Sequence, residues 1–407
     1  MTVLTAARTD ARWSPRLSAG DTGIPLPAPR DLRLDFFRGL ALLFIFLDHI
    51  PDNLVSWITV RNYGFSDAAE IFVFISGYTA AMVYGRAMRQ GGFRHGAARI
   101  LRRCGQLYAA HVGVFLLFMA QAAYAVTWFH NGRYAQETQL GEFLANPRAV
   151  LLQTVLLKFR PPTLDILPLY VVLLLAFPLA LWFLERWPVG ALLASGSLYG
   201  IAHATGLSLP GYALGTSWLF NPLAWQFLFI LGALCGRLHD RPQRVLPRAA
   251  LWQAIATAYV GFAFLVTLTW HLPQLAPWMP AWFSRLPLGK TALDPLRLLH
   301  FLALAYVIVC LIGERPRFLD WRLVRPVICC GQQSLYVFCV GLLLSFGAHV
   351  ILVEVNEAFG MQLLVSLIGI ALSIGLASLL GWWRQAARST ATARTDARSP
   401  LYTRNAA

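Results

Sequence analysis

Ten apolar stretches, each about as long as a bilayer is thick, constrain how this chain can fold. A helix needs about 20 apolar residues to cross the hydrocarbon core, and there it satisfies its own backbone hydrogen bonds. Hydrophobic residues make up 57% of the chain and charged residues 13%, about half the charged share of a soluble domain. We therefore predict an all-α integral membrane protein, a bundle of about ten transmembrane helices. The predicted spans are approximately 34–51, 68–86, 104–128, 164–184, 188–207, 221–238, 251–272, 295–313, 326–353 and 359–383.

The distribution of Lys and Arg predicts the orientation of this bundle. If the N-terminus is cytoplasmic, 25 of the 34 basic residues fall in inner segments and seven in outer ones, which satisfies the positive-inside rule. Both termini are then cytoplasmic. We predict a disordered cytoplasmic tail over 1–30, a ten-span membrane domain over 31–384 and a second cytoplasmic tail over 385–407. The net charge of +15 is therefore interpreted as a topology signal, and no nucleic-acid partner is expected.

Ionisable residues inside the first two predicted spans are the strongest functional signal. The segment from Leu34 to Gly77 carries Arg38, Asp48 and His49 in its first helix and Glu70 at the start of its second. A charge near the bilayer centre costs about 2.5–3.5 kcal/mol on insertion scales, so such residues are functional candidates.

Arg38 and His49 are eleven positions apart. On one helix this spacing places them within about 20° of each other and about 16 Å apart along the axis. One helix face therefore presents a permanent cation near the cytoplasmic end and a base near the outer end.

Three further arginines, Arg99, Arg102 and Arg103, lie at the predicted cytoplasmic mouth of the third span. Arg99 and Arg102 are one turn apart and can face the same anionic ligand. Alternatively, arginines at the cytoplasmic end of a span only fix the topology and contact anionic lipid head groups.

Several motifs resemble one family of membrane enzymes. The Arg38–His49 spacing, the Arg99–Arg102 pattern and EIFVFISGY over 70–78 are similar to the acyltransferase-3 superfamily. More specifically, RLDFFRGLALLFIFLDHIP, GFSDAAEIFVFISGYTAAMVYGR, LDILPLY and CGQQSLYVFCVGLLLSF resemble the OpgC family. That resemblance covers about 32–380 and implies a ten-span protein of the bacterial inner membrane that succinylates periplasmic glucans.

The resemblance implies acyl-CoA as a co-substrate, with no tightly bound cofactor and no metal. His49 suits the removal of a proton from a sugar hydroxyl, because its unperturbed pKa is near neutral. Covalent transfer through an acyl-histidine is equally compatible with the sequence. Arg38, Arg99, Arg102 and Arg103 provide planar cations suited to the phosphates of coenzyme A.

Carboxylates near His49 are candidates to orient its ring. We favour Glu70, which begins the second span at the same membrane level, over Asp48, which points about 100° away and is expected to serve a neighbouring helix. Small residues in the second span (Ser76, Gly77, Ala80 and Ala81) are expected to bring it close to the first. The candidates for binding the acceptor are Asp52, Asp165, Arg297 and His300.

Other functions remain open at this point. An O-acetyltransferase for another cell-surface polysaccharide would use the same residues, and a glycan or lipid-linked transporter would also place charges within a helical bundle. The expected partners are acyl-CoA, a periplasmic glucan or other glycan, and the lipid bilayer. Self-association as a homo-oligomer is left open.

Overall fold

The computed structural model describes residues 31–212, 216–239, 250–272, 274, 277, 280–313 and 316–398. Within these ranges the regular elements are helices, and no strand is present. The predicted tail 1–30 and the last part of the second tail, 399–407, lie outside the described residues.

Thirteen α-helices form the described part of the chain. They are α1 Leu32–Asp48, α2 Ala68–Phe129, α3 Arg133–Glu137, α4 Leu140–Ala145, α5 Pro147–Val155, α6 Ile166–Arg186, α7 Pro188–Thr205, α8 Pro222–Arg237, α9 Ala250–His271, α10 Pro295–Ile312, α11 Arg325–Gln332, α12 Ser334–Glu354 and α13 Phe359–Arg398. Six of these (α2, α6, α9, α10, α12 and α13) are long and apolar enough to cross a membrane, and α8 is a shorter apolar helix. The multi-pass, all-helical class is thus confirmed, whereas the count of ten spans and the cytoplasmic termini remain predictions.

The chain turns back within α2 rather than in a loop. Residues 86–103, expected to connect two spans, are helical except at Gly92, whose φ of 77° lies in the left-handed region. Glycine adopts this conformation without steric cost. A Cβ on Gly96 would lie 2.8 Å from the Cβ of Met88, so the two legs meet closely beside the turn. The predicted loop is therefore a reversal at one residue.

The predicted span 326–353 is also interrupted. Gln333 is non-helical, with φ −108° and ψ 29°, and separates α11 from α12. The break coincides with the polar run GQQS over 331–334, which the prediction of one continuous span passed over.

Glycines bring α2 against α8. A Cβ on Gly77 would overlap the backbone carbonyl of Phe229, and one on Gly232 would overlap that of Phe74. Small residues allow such close packing between membrane helices. The expectation that Gly77 serves the approach of α2 to α1 is therefore wrong, because its partner is α8.

Large and almost fully buried side chains on α2, α6 and α8 form part of the core. Phe115, Phe177, Trp225 and Phe229 are each at most 1% exposed. Other large apolar side chains point outward, among them Leu179 on α6 at 70% and Leu311 on α10 at 79% exposure, as expected of helices that face lipid.

Candidate active site

A cavity of about 440 Å³ lies where α1 ends and α2 begins. Its wall is unusually rich in ionisable side chains for a protein of this hydrophobicity. The charged and titratable residues that line it are Asp48, His49, Arg61, Asp67, Asp165, Lys290 and Arg297. Apolar side chains, including Phe220, Trp270 and Phe338, complete the wall.

His49 follows the last residue of α1 and lines this cavity. Its backbone amide donates to the carbonyl of Ile45 at 3.1 Å, and its Nδ1 lies 2.6 Å from the same oxygen. A carbonyl oxygen can only accept, so Nδ1 carries the proton of the neutral ring and Nε2 is the basic nitrogen. The backbone of α1 thus sets the tautomer.

The segment between α1 and α2 is folded back on α1. The Thr59 hydroxyl donates to Asp48 Oδ1 at 2.7 Å, and Asn53 caps a short 3-10 helix by accepting from the Val55 amide. Asp48 was expected to serve a neighbouring helix, and this expectation is wrong. Its carboxylate holds the loop that forms one side of the cavity.

Glu70 lies behind the cavity wall. It is fully buried, its Oε2 accepts from the Asp67 amide at 2.8 Å, and its Oε1 pairs with Arg297 Nε. The expected contact with His49 is absent from the hydrogen bonds of the residues that the structure describes. Glu70 completes a capping box at the start of α2, which satisfies backbone donors that α2 leaves free.

Asp67 joins two distant segments at the cavity. Its Oδ2 lies 2.6 Å from Lys290 Nζ and 2.9 Å from Arg297 Nη2. Burial raises the pKa of this carboxyl, but the two cations more than offset burial and hold its pKa well below the usual range. Sequence reasoning missed Asp67 and Lys290. The pattern of an Asp three residues before Glu70 is a capping-box signature that could have identified Asp67.

Asp165, expected to bind the acceptor, lines the cavity. Its Oδ1 accepts from Arg160 Nε at 3.1 Å, and its side chain makes no capping bond to α6. Arg160 in turn stacks over the ring of Trp218 at 4.0 Å. The carboxylate is therefore neutralised by a buried arginine.

The other three acceptor-side candidates occupy different environments. Arg297 lines the cavity, while His300 is packed behind it with Nδ1 accepting from the Ser66 amide at 3.2 Å. Asp52 is exposed in a turn with φ 54° and is not part of the cavity wall. The structure therefore brings Asp165 and Arg297 to His49 and leaves Asp52 and His300 outside the cavity.

The arginines expected to bind the donor lie within α1 and α2 and outside the cavity wall. Arg38 Nη2 donates to Thr79 Oγ1 at 2.7 Å, and Nη1 lies 3.7 Å from Asp35. Arg99 and Arg102 are exposed on α2, and Arg103 donates to Gln106 at 3.1 Å. Eleven residues of helix rise separate Arg38 from His49, about 16 Å along α1.

A family model described as OpgC protein matches residues 30–385 of the chain. No curated protein and no solved structure matches. The matched range begins before α1 and ends within α13, so it contains the whole cavity and all four donor-side arginines.

Proposed function

The chain belongs to the OpgC family, and we propose that it moves an acyl group, with succinyl favoured, from cytoplasmic acyl-CoA to hydroxyls of a periplasmic glucan. Membership of this family suggests a glucan-modifying membrane protein and an acyltransferase. The donor, the acyl group, the acceptor and the inner-membrane location belong to the proposal.

The observation that carries the proposal is the fixed tautomer of His49 in a cavity. Because Nδ1 donates to Ile45, Nε2 is free to accept a proton. In direct transfer, Nε2 takes the proton of a sugar hydroxyl while its oxygen attacks the thioester carbonyl. The carbon–sulfur bond then breaks, and the thiolate leaves as coenzyme A after protonation by the imidazolium.

A covalent route uses the same nitrogen. Nε2 attacks the thioester carbonyl, coenzyme A leaves, and the sugar hydroxyl then attacks the acyl-histidine. The proton of the hydroxyl passes to the coenzyme A thiolate, and the neutral imidazole, still protonated on Nδ1, is regenerated. Both routes balance and both require His49.

Donor binding is assigned to Arg38 on α1 and to Arg99, Arg102 and Arg103 on α2. Guanidinium groups bind phosphate through paired, charge-assisted hydrogen bonds. The separation of about 16 Å along α1 is comparable with the reach of an extended pantetheine arm. The thioester can then reach His49 while the nucleotide remains among the arginines.

A sidedness experiment tests the whole proposal. Protein reconstituted in one orientation in sealed vesicles should acylate an external glucan only when acyl-CoA is supplied on the side of Arg99–Arg103. Free coenzyme A should be released on that same side. Acylation with both substrates on the outer face alone, without leak, would refute this path, and movement of unmodified glucan across the bilayer would favour a transporter.

A further inference from the structure

Some of the charged side chains that line the cavity form ion pairs, and others do not. Asp67 is matched by Lys290 and Arg297, and Asp165 is matched by Arg160. Each of these pairs removes a cation from the set that could attract an anionic ligand. Arg61 is different, because it forms no ion pair with a carboxylate among the residues that the structure describes.

Arg61 is nevertheless held in place. It lies in the short 3-10 helix Val60–Asn62, and its Nη1 donates to the backbone carbonyl of Asp48 at 3.3 Å. The neighbouring Thr59 is bonded to the Asp48 carboxylate. Both contacts are made to the residue that immediately precedes His49, so the guanidinium is anchored beside the catalytic candidate.

This anchoring uses one of the five N–H donors of the guanidinium. The side chain is exposed and lines the cavity, which leaves planar donors available to a ligand. A carboxylate matches such donors in a bidentate arrangement, and charge-assisted bonds of this kind are about twice as strong as neutral ones.

We propose that Arg61 binds a carboxylate at the far end of the acyl group while its reacting carbonyl lies at His49. This assignment rests on the proposed function and makes Arg61 the residue that selects a dicarboxylic acyl group over a neutral one. Asp67 and Asp165 are already matched by cations. Arg61, which has no carboxylate partner among the described residues, is therefore the cavity cation available to the anionic end of the acyl group.

The test compares two donors of equal chain length. The full-length protein in detergent is supplied with succinyl-CoA or butyryl-CoA and a glucan oligosaccharide, and both coenzyme A release and acylated glucan are measured. Arg61→Gln should lower kcat/KM with succinyl-CoA by about 10- to 100-fold, the loss expected for a charged hydrogen bond. With butyryl-CoA the change should stay within about twofold, and Arg61→Lys should restore part of the succinyl preference.

The matched control is Arg133→Gln. Arg133 is another cation in a segment predicted to be on the outer face, paired with Glu137 and outside the cavity wall, and its removal should leave the ratio of the two donors unchanged. Equal losses with both donors in Arg61→Gln would show that Arg61 only holds the loop, and unchanged rates with both would likewise overturn the assignment. A change confined to the KM for the glucan would place Arg61 at the acceptor instead.

Failure of the proposed function would look different. Wild-type protein that releases no coenzyme A from either donor, or a His49→Ala variant that still acylates glucan, would overturn the acyl-transfer chemistry and the Arg61 assignment with it. Normal transfer with an unaltered donor ratio in Arg61→Gln would overturn the Arg61 assignment alone.

Discussion

His49 owes its chemical character to the end of the helix that carries it. At the end of α1 the Ile45 carbonyl accepts the usual helical bond from the His49 amide, and the same oxygen also accepts from Nδ1 of His49. A single backbone group thus orients the ring and places the proton on one nitrogen. No carboxylate is needed for either effect.

His49→Ala should abolish acylation in a protein that still folds and inserts. Loss of a general base typically lowers the rate by about 10²–10⁴-fold, and the imidazole contributes one local bond rather than a core contact. Acylated glucan measured by mass spectrometry provides the readout. His95→Ala, an exposed position on α2, is the matched control, and near-normal acylation in membrane-inserted His49→Ala would contradict the assignment.

Arg102→Ala and Arg38→Ala should weaken binding of coenzyme A more than binding of the glucan. Each removes a guanidinium from the end of the bundle assigned to the donor phosphates, and a charged hydrogen bond contributes about 1.5–3 kcal/mol. Equilibrium binding of acyl-CoA to the purified variants measures the loss. Arg94→Ala serves as the control because Arg94 is exposed near the same turn, and equal affinities in all three variants would reduce these arginines to topology signals.

The elements around the site are positioned by close helix contacts. α2 contributes Asp67 and Glu70 at its start and contacts α8 through Gly77, about two turns beyond Glu70. α10 reaches the same region through Arg297, which bonds both acidic residues. The start of α2 is therefore held from two sides.

Gly77→Ala should destabilise the protein, whereas Gly105→Ala should not. The new Cβ at 77 meets the Phe229 backbone, and overpacking of this kind typically costs about 1–3 kcal/mol. At 105, also within α2, no atom lies within 4 Å of the new Cβ, and Ala in a helix interior is favoured by about 0.5–1 kcal/mol. In detergent, the thermal unfolding midpoint should fall below that of the wild type for Gly77→Ala and rise above it for Gly105→Ala. Equal midpoints in the two variants would refute the close contact between Gly77 and Phe229.

The orientation of the whole molecule determines which substrate reaches which end of α1. In a variant without the six native cysteines, Arg94→Cys should react with a membrane-impermeant maleimide only after the cells are opened. Gly141→Cys, on exposed α4, should react in intact cells. The reverse pattern would invert the topology that the positive-inside rule predicts.

Local properties of the sequence were enough to predict the helical membrane class and to single out His49. Span length, hydropathy and the spacing along one helix depend only on neighbouring residues. The reversal at Gly92 was not predicted, because the arginine-rich segment around it resembles a loop. The break at Gln333 was not predicted, because the long apolar runs on either side of 331–334 outweighed its polar residues.

The tertiary structure alone decided which side chains surround His49. Arg297 and Asp67 are 230 positions apart, and their contact depends on how α10 packs beside α2, which no local pattern encodes. The same packing pairs Glu70 with Arg297 instead of His49, whereas Arg61 reaches the cavity through the contacts of its own loop with Asp48. The sequence therefore indicated what chemistry each candidate residue could perform. Which residue it contacts depends on how distant helices pack.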